Sequence, residues 1–153
     1  MRKAEASTQI MRRWFTEGWA GNDALADEIF SDEFSNNGVV VGQAGPKRNI
    51  RNRLIGFPDL QSVVEQLLAI GEIAFLRLSW TGTHTGSYLG VAPTGKRVRV
   101  RGMTTWRFQN GKVVEDWTTG HIPLEIFGVE LAPPVPARGR EQPMNPRLEE
   151  TDE

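Results

Sequence analysis

The chain has 153 residues, a formal net charge of −1, 39% hydrophobic and 24% charged residues, the size and balance of one globular domain rather than two. Near-neutral charge gives no general pull towards nucleic acid or anionic membrane, and the absence of cysteine excludes disulfides, thiolate catalysis and cysteine-held metals. No apolar run approaches the ~18 residues of a membrane helix, and no apolar segment follows Met1-Arg2-Lys3, so a cytoplasmic location without membrane contact is the default expectation.

In chain order, Ile10, Met11, Trp14, Phe15, Gly18 and Trp19 recur at three- and four-residue spacing and predict an amphipathic helix over residues 4–19. Gly21-Asn22 ends it, and Asp23 is placed to cap a second short helix through Ala24, Leu25 and Ile29-Phe30. Phe34-Ser35-Asn36-Asn37-Gly38 leads into a short strand at Val39-Val41, and Gly45-Pro46 opens a third helix carrying Ile50, Leu54 and Ile55.

Beyond Leu60 the period becomes that of strands. Residues 60–70 and 73–84 predict two strands joined at Gly71-Glu72. After a Gly- and Pro-containing connection, Val98, Val100, Gly102, Thr104, Trp106 and Phe108 alternate with Arg97, Arg99, Arg101, Met103, Thr105 and Arg107. Asn110-Gly111 is a strong hairpin signal, with the return strand over Lys112–Gly120. Residues 1–131 are the expected domain. Residues 132–153, beginning near Pro133-Pro134 and ending in acidic residues, are the expected disordered tail. Helices first and strands afterwards predict an α+β fold, a bent antiparallel sheet around the helices with a ligand cavity at its open end.

Several separated stretches carry a family resemblance. They are Thr81–Lys96, Val100-Arg101-Gly102-Met103, Trp106-Arg107-Phe108, Asn110–Glu115 with Trp117, Arg13-Trp14-Phe15 with Trp19–Asn22, and Phe57-Pro58-Asp59-Leu60. Over roughly residues 8–131 the chain resembles the SnoaL-like polyketide cyclases. The resemblance implies an NTF2-like cone and a homodimer packed through the outer sheet face. It also implies aldol-type ring closure on a polyketide without metal or cofactor, although relatives hydroxylate, isomerise steroids or open epoxides. The family's acid/base aspartate follows the hairpin glycine by seven residues, which from Gly111 falls on Thr118, and its usual Asp-His after the phenylalanine is here Asn36-Asn37. A threonine hydroxyl is no general base near neutral pH.

The candidate catalytic residues are therefore Asp116, His121 and His84. Asp116 shares the strand face of Thr118; inside an apolar cone its pKa would rise towards useful acid/base range, and the alternative is a solvated charge at a strand end. His84, in Gly82-Thr83-His84, is either a hydrogen-bond donor to a substrate carbonyl or a rim histidine bonded to the following loop. Strict alternation turns His121 away from Thr118, unless a bulge at Gly120 re-aims it to pair with Asp116. Asn36 and Asn37 either orient a carbonyl or make a turn, and Thr104 and Thr118 help shape the cavity. Trp14, Trp19, Trp80 and Trp106 line an aromatic-binding cavity or fill the core.

The arginine-rich strand face reads as a solvated sheet surface, not a nucleic-acid patch. Two histidines at different strand ends supply no typical catalytic metal set, and no phosphate-cradling loop or nucleophile elbow is present. The leading expectation is a cofactor-independent, acid/base enzyme acting on a carbonyl-rich aromatic small molecule. The alternatives are an isomerase, dehydratase, epoxide hydrolase or hydroxylase on the same fold, or a non-catalytic dimeric module that binds a small hydrophobic ligand.

Overall fold

A computed structural model describes residues 2–128; the expected boundary at 131 and the tail at 132–153 lie outside the described residues. Helix α1 (Arg2–Arg13) runs into a wider π-helical turn at Trp14–Gly18. There the amide of Trp19 reaches back five residues to the carbonyl of Trp14 at 3.0 Å. The expected single helix is thus continuous but changes pitch where its aromatic residues cluster, as π-turns do at functional sites. The short helix α2 (Leu25–Ile29) leads directly into strand β1 (Phe30–Asn36). The sequence reading assigned no strand to that segment, because it carried the short helix through Ile29-Phe30 and took Phe34–Gly38 as the lead into Val39–Val41.

Strand β2 (Val39–Val40) is a two-residue hairpin partner of β1, closed by Asn37-Gly38, both with positive φ (47° and 85°), the backbone of a primed hairpin turn. Helix α3 (Ala44–Gly56) is followed by β3 (Gln61–Ile70), β4 (Ile73–Thr83), β5 (Arg97–Gln109) and β6 (Lys112–Gly120). Asn110 and Gly111 turn β5 into β6 with φ of 52° and 76°, as that dipeptide predicts.

One six-stranded sheet runs β2-β1-β6-β5-β4-β3, giving the α+β, NTF2-like architecture with the helices against one face. All neighbouring pairs are antiparallel except β1 and β6, which run parallel. The expected antiparallel sheet is present in every neighbouring pair but this one. The chain between β1 and β6 runs through β2, α3 and β3–β5, which supplies the long connection that parallel pairing requires.

The core lies between the helices and the inner sheet face. Met11, Trp14, Phe15, Phe30, Phe34 and Ile50 meet Leu76, Leu78, Trp80, Trp106 and Val113 there. Alternation along β5 is strict: Val98, Val100, Gly102, Thr104, Trp106 and Phe108 are buried, while Arg97, Arg99, Arg101 and Arg107 are exposed. Each half-buried strand thereby hides its apolar side and wets its charged side. Among the described residues no helix is long and apolar enough to cross a membrane.

Candidate active site

Strand β6 would show residues 113, 115 and 117 on one face if it were regular. Its register against β5 slips between Arg107↔Glu115 and Phe108↔Val113, so Val114 is an extra residue. That bulge reverses the alternation. Val113 and Asp116, three residues apart, both point inwards, at 0% and 9% exposure. The parallel register then sets Asn36 of β1 opposite Asp116, and the Asn36 Nδ2 donates to the Asp116 carboxylate at 2.6 Å. Eighty residues of sequence separate the two partners.

Burial pushes the Asp116 pKa up to about 6. Hydrogen bonds from the Asn36 side chain, the Asn37 backbone and the Thr118 hydroxyl pull it down, and the Glu115 charge adds a smaller upward push. Loss of hydration outweighs the donated bonds, leaving a carboxyl that exchanges its proton near neutral pH. Next to it, Thr118 Oγ1 and Thr104 Oγ1 lie 2.8 Å apart. Asn37 serves the backbone instead of the cavity. Its Oδ1 accepts from the Thr118 amide at 2.8 Å, and its Nδ2 donates to the Thr118 carbonyl at 3.3 Å. The exposed Asn37 side chain thus extends the β1–β6 ladder by one step.

At the end of β6 the chain turns through two successive left-handed residues, Gly120 (φ 78°) and His121 (φ 63°). This backbone is uncommon for a residue other than glycine, and it swings the imidazole under the sheet, where the residue is 3% exposed. The ring packs edge-on to Trp19 at 5.8 Å, and neither ring nitrogen has a hydrogen-bond partner among the described residues. Burial, helped by the charge of Arg53, lowers the His121 pKa to about 4, so the ring is neutral at pH 7. Gly102 makes room for it: a Cβ built there would lie 2.5 Å from the His121 ring. Gly102→Ala therefore displaces the imidazole and costs about 1–3 kcal/mol, to be read as a lower urea midpoint with an unchanged slope.

Asp116, Asn36, Thr118 and His121 line one cavity of about 300 Å³ together with Trp14, Trp19 and Trp106, enough for a small polycyclic ligand. Helix α3 closes it with Arg48, Asn49, Asn52 and Arg53. The carboxyl and the imidazole share the lining but make no hydrogen bond to each other, so the expected carboxylate–imidazole pair is not formed. The re-aiming of His121 comes from the φ of Gly120 and His121, while the bulge lies upstream at Val114.

Besides Asn37, three expected contacts lie outside this lining: His84, Trp80, and Thr104, which stands behind Thr118. His84 is fully buried outside its lining, stacked on Phe57 at 5.2 Å. The His84 Nδ1 accepts from the Thr94 amide at 3.1 Å and meets the Thr94 hydroxyl at 2.9 Å. It anchors the connection between β4 and β5. Trp80, 1% exposed and T-shaped on Phe57 at 5.1 Å, belongs to the core. The sequence reading missed the polar wall on α3. Its signal is present, since Asn49, Asn52 and Arg53 follow helical spacing, but the interleaved apolar positions Ile50, Leu54 and Ile55 mask it. Among the described residues there is no group of three or more His, Cys, Asp or Glu side chains placed to hold a metal ion.

The SnoaL-like polyketide cyclase profile matches residues 9–120, which span every element from α1 to β6. The chain belongs to the SnoaL-like polyketide cyclase family. Solved structures of similar fold include a proposed SnoaL-like polyketide cyclase from Jannaschia sp. CCS1, with 26% identity and a TM-score of 0.73 over 86% of this chain and 95% of the other. AclR, a proposed hydroxylase from Streptomyces galilaeus, shares 27% identity with a TM-score of 0.67 over 85% and 83% of the two chains. A SnoaL-like polyketide cyclase from Agrobacterium tumefaciens, at 17% identity, superposes with a TM-score of 0.63 over 75% and 92% and supports the fold alone. The comparison with curated proteins finds no match. Within this SnoaL-like chain, the site is a cavity walled by three tryptophans that holds one carboxyl and one imidazole.

Proposed function

We propose that this SnoaL-like protein is an acid/base enzyme of the polyketide cyclase type, using no cofactor and acting on a carbonyl-rich aromatic small molecule. One observation carries the reading: Asp116, raised to about 6 by burial, faces a tryptophan-walled cavity in the company of a neutral imidazole. In this mechanism the Asp116 carboxylate takes a proton from the carbon between two carbonyl groups. The resulting enolate attacks a second carbonyl of the same molecule, forming the ring bond, and the new alkoxide receives the proton that Asp116 carries. The neutral His121 ring has one N–H, which donates to the enolate oxygen as charge develops. Asn36 positions the carboxyl through its 2.6 Å bond. In this reading Thr118 occupies the place of the family's usual aspartate, and the proton-transfer role has moved two residues back along the strand, to the position that the Val114 bulge turns inwards.

A second copy of the chain is the proposed partner. Val63, Leu68, Ile70, Ile73, Met103 and Trp117 are exposed, and the strand registers put them on the sheet face away from the helices. On this helix-free face they stand among Arg97, Arg99, Arg101 and Arg107, and such a mixture of large apolar side chains and arginines supports association.

Solvent-deuterium incorporation, followed by NMR with an aromatic β-keto ester, an epoxide and a steroid enone as probes, tests the reaction class. The expected result is catalysed exchange at the carbon between the ester's carbonyls, followed by ring closure where a second carbonyl is in reach. Hydration of the epoxide or double-bond migration in the enone, with no exchange in the ester, replaces this reading with a hydrolase or an isomerase.

A further inference from the structure

Helix α3 carries four cations, and two of them are accounted for by carboxylates. Lys47 pairs with Asp27 at 2.7 Å, and Arg51 pairs with Asp23. The remaining two, Arg48 and Arg53, line the cavity and have no acidic partner among the described residues. Arg53 is the more confined of the two. Its guanidinium lies over the Trp19 ring at 4.7 Å, and its Nε is shut off from solvent without a hydrogen-bond partner. Burial lowers its pKa, partly offset by the neighbouring Tyr88 hydroxyl. A guanidinium stays protonated even so. The side chain also hydrogen-bonds Tyr88, so the cavity holds a fixed, poorly solvated positive charge with one unused donor, its Nε.

Such a group is costly to keep unless something binds it. The cation–π contact with Trp19 recovers part of that cost, but a ring face does not use the in-plane N–H fork, which matches a carboxylate. Arg53 stands on α3 with its charge acting on His121, whereas Asp116 stands on β6 and is bonded to Asn36 of β1. Cation and carboxyl are thus separate stations of one cavity, and an anion on the first does not have to confront the second.

Taking the cavity to be the substrate pocket, as in the function proposed above, we propose that its ligand is an aromatic carboxylate whose acid group is held by Arg53, with Arg48 adding positive potential at the rim. The carboxylate fixes the orientation of the ligand, so that its carbonyl-bearing part extends towards Asp116 and His121. Specificity for an acid over its ester or amide follows from this arrangement. A neutral analogue leaves the guanidinium as unsatisfied as it is in the free protein.

The test is equilibrium binding of 2-naphthoate and its neutral isostere methyl 2-naphthoate to the full chain, read by quenching of tryptophan fluorescence, since three tryptophans line the cavity. The expected result is about 10- to 100-fold tighter binding of the acid. Arg53→Met abolishes that preference, so that acid and ester bind this variant equally, and Arg53→Lys, which keeps the charge but loses the fork, retains part of it. Equal affinity of the two probes in the unaltered protein, or a preference that survives in Arg53→Met, overturns the proposal. Binding is read without turnover, so a clear acid preference in a protein that exchanges no deuterium leaves this inference standing while the cyclase reading falls. Failure of both probes to quench removes the cavity as a ligand site, and the inference with it.

Discussion

Asp116→Asn lowers turnover by about 10²–10⁴-fold while the fold is retained. The substitution keeps the size of the side chain and an oxygen to accept the Asn36 bond of 2.6 Å, and it removes only the capacity to carry a proton. In the unaltered enzyme the working form is the carboxylate. With the pKa raised to about 6, activity rises with pH through that value and levels off above it. An ordinary aspartate would put the same rise near 4. Steady-state rates measured between pH 4 and 8, beside circular dichroism of the variant, check both statements. Undiminished activity in Asp116→Asn ends the assignment of Asp116, and a rise centred near 4 would mean that the carboxyl works in water and not in the cavity.

Stability should show the same two buried groups working against each other. Asp116 titrates at about 6 in the folded chain against 3.8 for an ordinary aspartate. The folded state therefore holds the proton more tightly, and this group's contribution is lost as pH rises from about 4 to 6. His121 titrates at about 4 against 6.5, so the unfolded chain holds that proton more tightly and stability is lost as pH falls from about 6.5 to 4. Each difference corresponds to about 3 kcal/mol, and the two nearly cancel across the window. Asp116→Asn exposes the histidine's slope, making the variant about 3 kcal/mol more stable than the parent at pH 8 and leaving little advantage at pH 4. His121→Asn, a residue that tolerates the left-handed backbone, exposes the opposite slope and gains relative stability on acidification. Urea unfolding of the three proteins at a series of pH values reads this directly. Parallel stability curves would mean that neither group is buried as described.

Much of the architecture is written locally. The helical spacing of Ile10 to Trp19, the alternation along β5 and the Asn110-Gly111 turn each specify an element from a handful of neighbouring residues, and the structure contains all three. Separated motifs such as Trp106-Arg107-Phe108 carried the family likeness, which the match over residues 9–120 establishes. The sequence also marked Asp116 and His121 as the ionisable residues worth following.

Tertiary structure alone decided which of the candidates meet. The inward turn of Asp116 needs a bulge that exists only when β6 lies against β5, and its Asn36 partner arrives through parallel pairing with a strand eighty residues earlier. His84 looked as eligible as His121, yet packing on Phe57 sends it into the core, whereas two left-handed residues carry His121 into the cavity. That Arg53 has no acidic partner among the described residues depends on where each of their carboxylates comes to rest. Propensity and periodicity are set by near neighbours, and the sequence by itself determined those. Register, burial and charge pairing are set by residues distant in the chain, and they become definite only when the whole sheet closes over its helices.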